Sequence, residues 1–282
     1  MGKTQHLVLT RFNLRHAEWE HDCRGDAVLT KEWMDHRFPL FDRFCFPSMM
    51  GQTNRDFTWL VAFDEDTHAD YRPLIDAYRE RFALFTPLYS ARARFIDDIL
   101  LHVDADTEFL ITTRIDNDDA FHKDAVATIQ SEFREQEFEF LNLLQGYFLY
   151  PDRIDYLQAD CNMFVSLVER RGAGQPFTTV FGCGRHTNLR QRGPVRQVVT
   201  SRPSWLHVIH DRNQSDTGQP GPRRGVAVEL IQWALGMGRE LRAHLHRRGR
   251  SPYDQPVEVV RTTPLRFEEI CAEFSLTECG PL

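Results

Sequence analysis

Apolar and polar positions along the chain follow two alternating periods. Three runs read as buried strands that stop abruptly at polar residues. Residues 6–12 form the first and end in Thr10-Arg11-Phe12-Asn13. The second, 56–66 (DFTWLVAFDED), ends in Asp64 and Asp66. In the third, Phe109-Leu110-Ile111 continues through Thr112, Thr113, Arg114 and Ile115 and halts at Asp116, Asn117, Asp118 and Asp119. Between these runs the spacing changes to that of helices. From Thr30 onward Trp33, Met34, Phe38, Phe41 and Phe44 share one face, with Pro39 marking a break or kink. Residues 69–85 carry Tyr71, Leu74, Ile75, Tyr78 and Phe82 on one side, and from Ala120 the residues Phe121, Ala125, Ile129 and Phe133 do the same. A strand, an acidic turn and a helix make an α/β unit, and ligands of such sheets bind at the carboxyl ends of the strands.

The middle of the chain is strand-rich. Phe138, Phe140 and Leu143, then Tyr147 and Tyr150, predict two short strands around Gln145-Gly146, and 154–158 and 162–168 predict two more. Strands without helices between them predict an antiparallel annex beside the mostly parallel sheet. Residues 94–96 read as a short strand, and 97–103 as a helix or loop leading into the Phe109 strand. Residues 204–213 (SWLHVIHDRN) alternate and end at His210, 226–248 form a long amphipathic helix, and 266–274 a short one.

Composition narrows the class. With 41% hydrophobic residues and 21 Phe among 282 residues, the chain can build a sizeable core. A net charge of -7 argues against a nucleic-acid binder, which needs a basic stripe. Cysteines at 23, 45, 161, 183, 271 and 279 show no CxxC pair and no zinc spacing, so reduced thiols in the cytoplasm are expected. The N-terminal apolar run is too short for a signal peptide, and no window approaches a membrane span; peripheral membrane contact stays compatible with this.

The chemistry concentrates in the acids. Three carboxylates within four residues repel one another, and a fold that packs them together needs a cation. Hard oxygen ligands suit Mg²⁺ or Mn²⁺, which keep open positions for phosphate oxygens and so point to a diphosphate-bearing substrate. The plainer reading makes Asp118 or Asp119 a helix cap and leaves the others in solvent. An EF-hand is excluded, because loops begun at Asp104 or Asp116 place Phe109 or Phe121 where glycine must stand. Parallel neighbours bring Asp64 and Asp66 beside Asp116 and Asp118 in one site. Arg11 meets a phosphate or forms a surface salt bridge; His210 supplies a nitrogen to the metal or sits hydrogen-bonded in a turn. The loop 216–225, with Arg223 and Arg224, is a lid over phosphate or a plain connector. The GxG at 182–184 lacks a third glycine and carries no dinucleotide signal. A rival reading takes Asp104, in HVDADT, as the nucleophile of a haloacid-dehalogenase-like phosphatase, although the next acids follow too soon for a crossover.

Taken together, LTRFNLR, PSMMGQTNRDFTWLVAFDED, ITTRIDNDDAFHKDAV and WLHVIHDRN resemble, in that order, the putative rhamnosyltransferase family of GT-A-type glycosyltransferases, over most of 6–215. The resemblance implies a single GT-A-like domain, a three-layer α/β/α sandwich. Its nucleotide-binding half would be 1–136, its acceptor side 137–225 and its C-terminal helical part 226–282. It implies a nucleotide-sugar donor and a glycan or other hydroxyl acceptor, as in polysaccharide biosynthesis, with Mn²⁺ or Mg²⁺ as cofactor. Asp116 and Asp118 then correspond to the DxD pair and are metal ligands, Asp118 being the better one, Asp116 lying nearer the donor ribose or the ion, and Asp119 able to join. Thr10, Arg11, Asp64, Arg114 and Asp116 contact the nucleotide sugar, and His210 becomes a metal or diphosphate ligand. Asp160, Glu169 and His186 are candidate bases. A catalytically silent sugar-binding protein on the same fold is the remaining alternative.

Overall fold

The computed structural model describes residues 2–15, 29–151, 153–184, 186–210 and 264–276. Strand β1 (Lys3–Arg11) is buried continuously from His6 to Thr10, as a strand with parallel neighbours and two covered faces must be. Helix α1 (Lys31–Leu40) begins at Thr30, whose hydroxyl accepts from the Trp33 amide at 3.2 Å. The chain does not break at Pro39. It passes into a π-helical stretch, Phe41–Cys45, and on into α2 (Phe46–Met50). Stopping the helix would expose Phe41 and Phe44, both fully buried, so a widened turn accommodates the disturbance instead.

Strand β2 (Thr58–Asp64) is followed by a 3₁₀ turn and α3 (Arg72–Arg81). The expected helix over 69–85 ends early because Phe82 turns extended, and Phe85 opens β3 (Phe85–Ser90). Where a strand is expected at 94–96, α4 (Phe95–Leu100) forms instead, burying Phe95 and Ile99 four residues apart on one face. Strand β4 (Thr107–Arg114) delivers the acidic turn. Ala120–Phe121 is a short strand, β5, rather than a helix start, because pairing with the strand at 205–208 captures it; α5 (Ala125–Ser131) begins later. Then come β6 (Phe138–Leu143), β7 (Gln145–Leu149), β8 (Ile154–Gln158), β9 (Val165–Arg170), the single turn α6 (Thr179–Gly182), β10 (Val195–Val198), β11 (Trp205–Val208) and α7 (Pro264–Glu273).

Among the described residues seven strands form one sheet in the order β10-β6-β9-β4-β1-β2-β3. Only β9 runs against its neighbours β4 and β6; the other pairings are parallel. The annex has the order β5-β11-β7-β8 and is mixed rather than antiparallel, since β11 joins β7 in parallel. Its two halves come from distant parts of the chain, so adjacency in sequence did not set their direction.

Both faces of the large sheet are covered. On one, Trp33, Phe41, Phe46 and Tyr78 pack on Val8, Trp59 and Val61; on the other, Phe95, Ile99 and Val180 pack on Leu7, Leu9 and Leu60. Each such fully buried apolar side chain contributes about 1.5–3 kcal/mol over its exposed state. This three-layer α/β arrangement leaves the carboxyl ends of β1, β2 and β4 together at one edge, with Leu9 opposite Arg114 and Arg11 opposite Ala62.

His6 is buried in β1 between Thr113 and Gln130, 2.8 and 3.1 Å from its ring nitrogens. Burial holds its pKa down at about 3, so it folds neutral. The unfolded chain takes up a proton near the ordinary histidine value and the folded chain does not, so stability falls as pH drops from about 6.5 toward 3. Urea midpoints measured across that window should decline in the native protein and decline less in His6→Gln. Parallel slopes in the two proteins would remove His6 from the account.

Cys45, Cys161 and Cys183 are free, as expected. Cys271 is disulfide-bonded, against the expectation of reduced thiols throughout. Pairing depends on which sulfurs the fold brings together, and spacing along the chain does not encode that. Among the described residues no helix is long and apolar enough to cross a membrane. The expected helix at 226–248 and the loop with Arg223 and Arg224 lie outside the described residues.

Candidate active site

The acidic turn sits where β4 ends, and three separate elements reach toward it. Asn117 ties it to β1 by donating to the Phe12 carbonyl at 2.9 Å, and the Ile115 amide donates to the Leu9 carbonyl. Each of the three aspartates then meets a different basic side chain of the protein itself. Asp116 receives Arg114 in a two-pronged pair at 2.8 to 3.2 Å. Asp118 receives Arg37 from α1, and His210 Nε2 lies 2.9 Å from the same Oδ2. Asp119 has His207 Nδ1 at 2.8 Å and accepts the Val208 amide at 3.0 Å. The crowding of acids is therefore relieved inside the fold, and a metal is not required merely to hold them together.

Electrostatics separate the three. Burial opposes ionisation of Asp118, but Arg37 and His210 more than offset it and hold this carboxyl far below the usual range. Asp116 is likewise lowered, burial being outweighed by Arg114. Asp119, fully buried, is pushed up to about 6 by burial, with His207 working the other way. Its Oδ2 is buried without a hydrogen-bond partner, which is costly unless something approaches it.

Hard carboxylate oxygen with imidazole nitrogen is a donor set that suits Mn²⁺, and Asp118 with His210 supplies one of each at contact distance. Among the described residues no group of three His, Cys, Asp or Glu side chains converges as a complete cage. Two protein donors are enough for an ion that takes its remaining oxygens from phosphate and water.

Beside Asp116 lies a cationic patch. The Arg11 and Arg114 guanidiniums both lie over the Phe181 ring, at 4.6 and 5.5 Å from its centroid. Burial first, then repulsion from Arg114, pushes Arg11 down from its ordinary value. His186 belongs to this neighbourhood: burial first, then Arg114, lowers it to about 4, while Asp116 pulls the other way.

The remaining predicted residues are placed as follows. Asp64, at the end of β2, accepts the amides of Arg15 and Asp66 at 3.2 and 3.1 Å. Thr10 is fully buried and accepts from the Trp59 indole at 3.0 Å, so its side chain serves the core and not the cleft. Glu169 is buried with its two oxygens on the Thr178 and Thr179 amides, at 2.7 and 2.8 Å, where it fixes the start of α6. Asp160 is exposed and 3.6 Å from Arg190. Of the three candidate bases only His186 comes near the acids. Asp104 precedes β4, at the opposite end of that strand from the acidic turn, exposed and paired with Lys3 at 2.9 Å, which is not where a strand-end nucleophile stands.

Two site residues escaped the sequence reading. Arg37 stands four residues after Trp33 on the apolar stripe of α1, and a charged residue on a buried face was the available signal. His207 lies three residues before His210, on the inward face shared with Trp205.

No curated protein matches the sequence. Among solved structures the chain is similar to Staphylococcus aureus TarS 1–349, at 10% identity over 72% of this chain and 60% of that one, with a TM-score of 0.39. It is similar also to the same TarS segment in complex with UDP-GlcNAc, at 10% identity, 75% and 60% coverage and a TM-score of 0.37. A third likeness is to 4-diphosphocytidyl-2C-methyl-D-erythritol synthase from Anaerococcus prevotii, at 12% identity, 77% and 92% coverage and a TM-score of 0.32. The chain thus spans 60% of the TarS chain it matches. Residues 5–222 of the 282 match the family described as "Putative rhamnosyl transferase", and the chain belongs to that family.

Proposed function

We propose that the protein is a metal-dependent glycosyltransferase that moves a sugar, rhamnose being the family's label, from a nucleotide-diphosphate donor to a hydroxyl of a glycan acceptor. The observation that carries this reading is the pairing of Asp118 with His210 and of Asp119 with His207 in the acidic turn at the carboxyl end of β4, with the Arg11 and Arg114 pair beside Asp116. Family membership supports the same class of reaction.

In this reading Arg11 and Arg114 orient the diphosphate, since guanidinium forks match phosphate oxygens and Phe181 holds both planes. Asp64 meets the nucleoside at the neighbouring strand end. Asp118 and His210 would hold Mn²⁺ or Mg²⁺, and Asp119 keeps His207 in place beside them. The ion, when bound, supplies charge neutralisation for the departing diphosphate, so no acid is needed on the leaving group. His186, neutral at pH 7, takes the proton of the attacking hydroxyl. Asp160 and Glu169 stand aside, one ion-paired at the surface and the other tied to backbone amides.

Incubation with Mn²⁺ and a panel of nucleotide sugars, nucleoside-diphospho-rhamnose included, should release nucleoside diphosphate with one donor, and chelation should stop it. Release that persists in excess chelator would remove the metal from the reading. Phosphate release from simple esters, lost in Asp104→Asn and kept in Asp118→Asn, would replace it with a phosphatase.

A further inference from the structure

We infer that Arg37 is a resident counter-ion that occupies the metal-facing side of Asp118 and must yield it before a divalent ion can bind. The inference rests on the metal reading above and adds a residue and an order of events to it. Three observations converge on it. Arg37 Nη1 pairs with Asp118 Oδ2, the same oxygen that His210 approaches at 2.9 Å. That nitrogen is also 3.5 Å from His210 Nε2 and 3.4 Å from Asn117 Oδ1, so it lies against both groups offered to the ion. Arg37, Asp118 and His210 are 4%, 6% and 9% exposed, and the guanidinium lies 4.9 Å over the Trp33 ring, so the pair is screened little by water.

Two cations cannot share one buried carboxylate oxygen without strong repulsion. An ion arriving alone must therefore displace Arg37 with no compensation for the guanidinium. An ion arriving with a nucleoside diphosphate brings the anion that Arg37 can take in exchange, since a guanidinium fork donates to phosphate oxygens as readily as to carboxylate. Metal and nucleotide then bind with positive coupling, which for linked sites typically amounts to about 5–150-fold. The sequence places this arginine just ahead of the π-helical stretch Phe41–Cys45, so its helix has a widened turn close by.

The test measures Mn²⁺ binding to the full chain by the loss of the free-ion paramagnetic resonance signal, without nucleotide and then with UDP, GDP or dTDP. Thermal midpoints are taken in chelator and in Mn²⁺. Arg37→Gln should bind Mn²⁺ alone about 10-fold or more tighter than the native chain, with much reduced coupling to the nucleotide. Its midpoint should fall in chelator and recover in Mn²⁺, because the ion takes over as counter-ion to Asp118. Arg37→Lys, which keeps the charge, should bind the ion alone as weakly as the native chain. Equal Mn²⁺ affinity of native and Gln chains overturns the inference while leaving the metal reading intact. So does a Lys variant that binds as tightly as the Gln variant, or a Gln variant that stays unfolded at saturating Mn²⁺. No Mn²⁺ binding to any of the three, with or without nucleotide, overturns the metal reading and the inference with it.

Discussion

Asp118→Asn is expected to lower kcat/KM for glycosyl transfer by roughly 10²–10³-fold, the loss seen when one preorganised charge-stabilising group is taken from a transition state. Two effects combine. The amide keeps the side-chain shape but gives up the charge on the oxygen that His210 and Arg37 now face. It also leaves Arg37, only 4% exposed, without its carboxylate. Breaking a buried pair from one side costs about 3–5 kcal/mol of stability, so the variant should melt well below the native protein. Asparagine is preferred to alanine because it still offers Arg37 an oxygen. Activity should therefore be compared at a temperature where circular dichroism shows both proteins folded. Full activity in folded Asp118→Asn would dispose of the proposed role, and loss of activity together with loss of fold would reduce Asp118 to a structural ion pair.

An equally large effect on stability is expected from Trp205→Ala, at about 3–5 kcal/mol, with a melting midpoint lower by roughly 10 °C. Trp205 is fully buried, stacks on Phe164 at 4.9 Å with an 11° interplanar angle, and donates its indole N–H to the Leu143 carbonyl at 2.8 Å. Gly146 in β7 makes room for it: a methyl group there would stand 1.9 Å from the indole ring. Removing the indole leaves a cavity between the two sheets that glycine cannot fill. It also loosens β11, whose His207 lies 5.0 Å from Phe148 and fixes Asp119. The variant should therefore lose nucleotide-dependent metal affinity even at temperatures where it remains folded. Calorimetric melting together with metal titration checks both parts. An unchanged metal affinity in the folded variant would show that the proposed metal site does not depend on this packing.

The two experiments address different layers of the same site. Asp118 meets the ion and diphosphate in the proposed reaction, whereas Trp205 acts only through the strand that carries the histidines. Turnover lost in folded Asp118→Asn points to the first layer, and metal affinity lost in folded Trp205→Ala to the second.

Much of this arrangement was written in local pattern. The buried runs at 6–12, 56–66 and 109–115 become β1, β2 and β4, because alternation and apolar runs are set by neighbours along one strand. The acidic turn after Ile115 follows from the same runs, but β1 lies between β2 and β4, so Asp64 ends a strand that is not the direct neighbour of the one carrying the acids. The strand-rich middle likewise appears at 138–143, 145–149 and 154–158. What the chain could not state locally is which distant partner each group meets. Ala120 and Phe121 have helical spacing but take a strand, because β11, more than eighty residues later, offers backbone hydrogen bonds. Arg37 reads as one charge in an amphipathic helix, and only the fold sets it on Asp118 across 81 residues. Glu169 and Asp160 looked alike as candidate bases until packing tied one to backbone amides and left the other in solvent. Periodicity is a property of near neighbours and survives in sequence; the pairing of buried charges is a property of three-dimensional proximity in low dielectric, and only tertiary structure decides it.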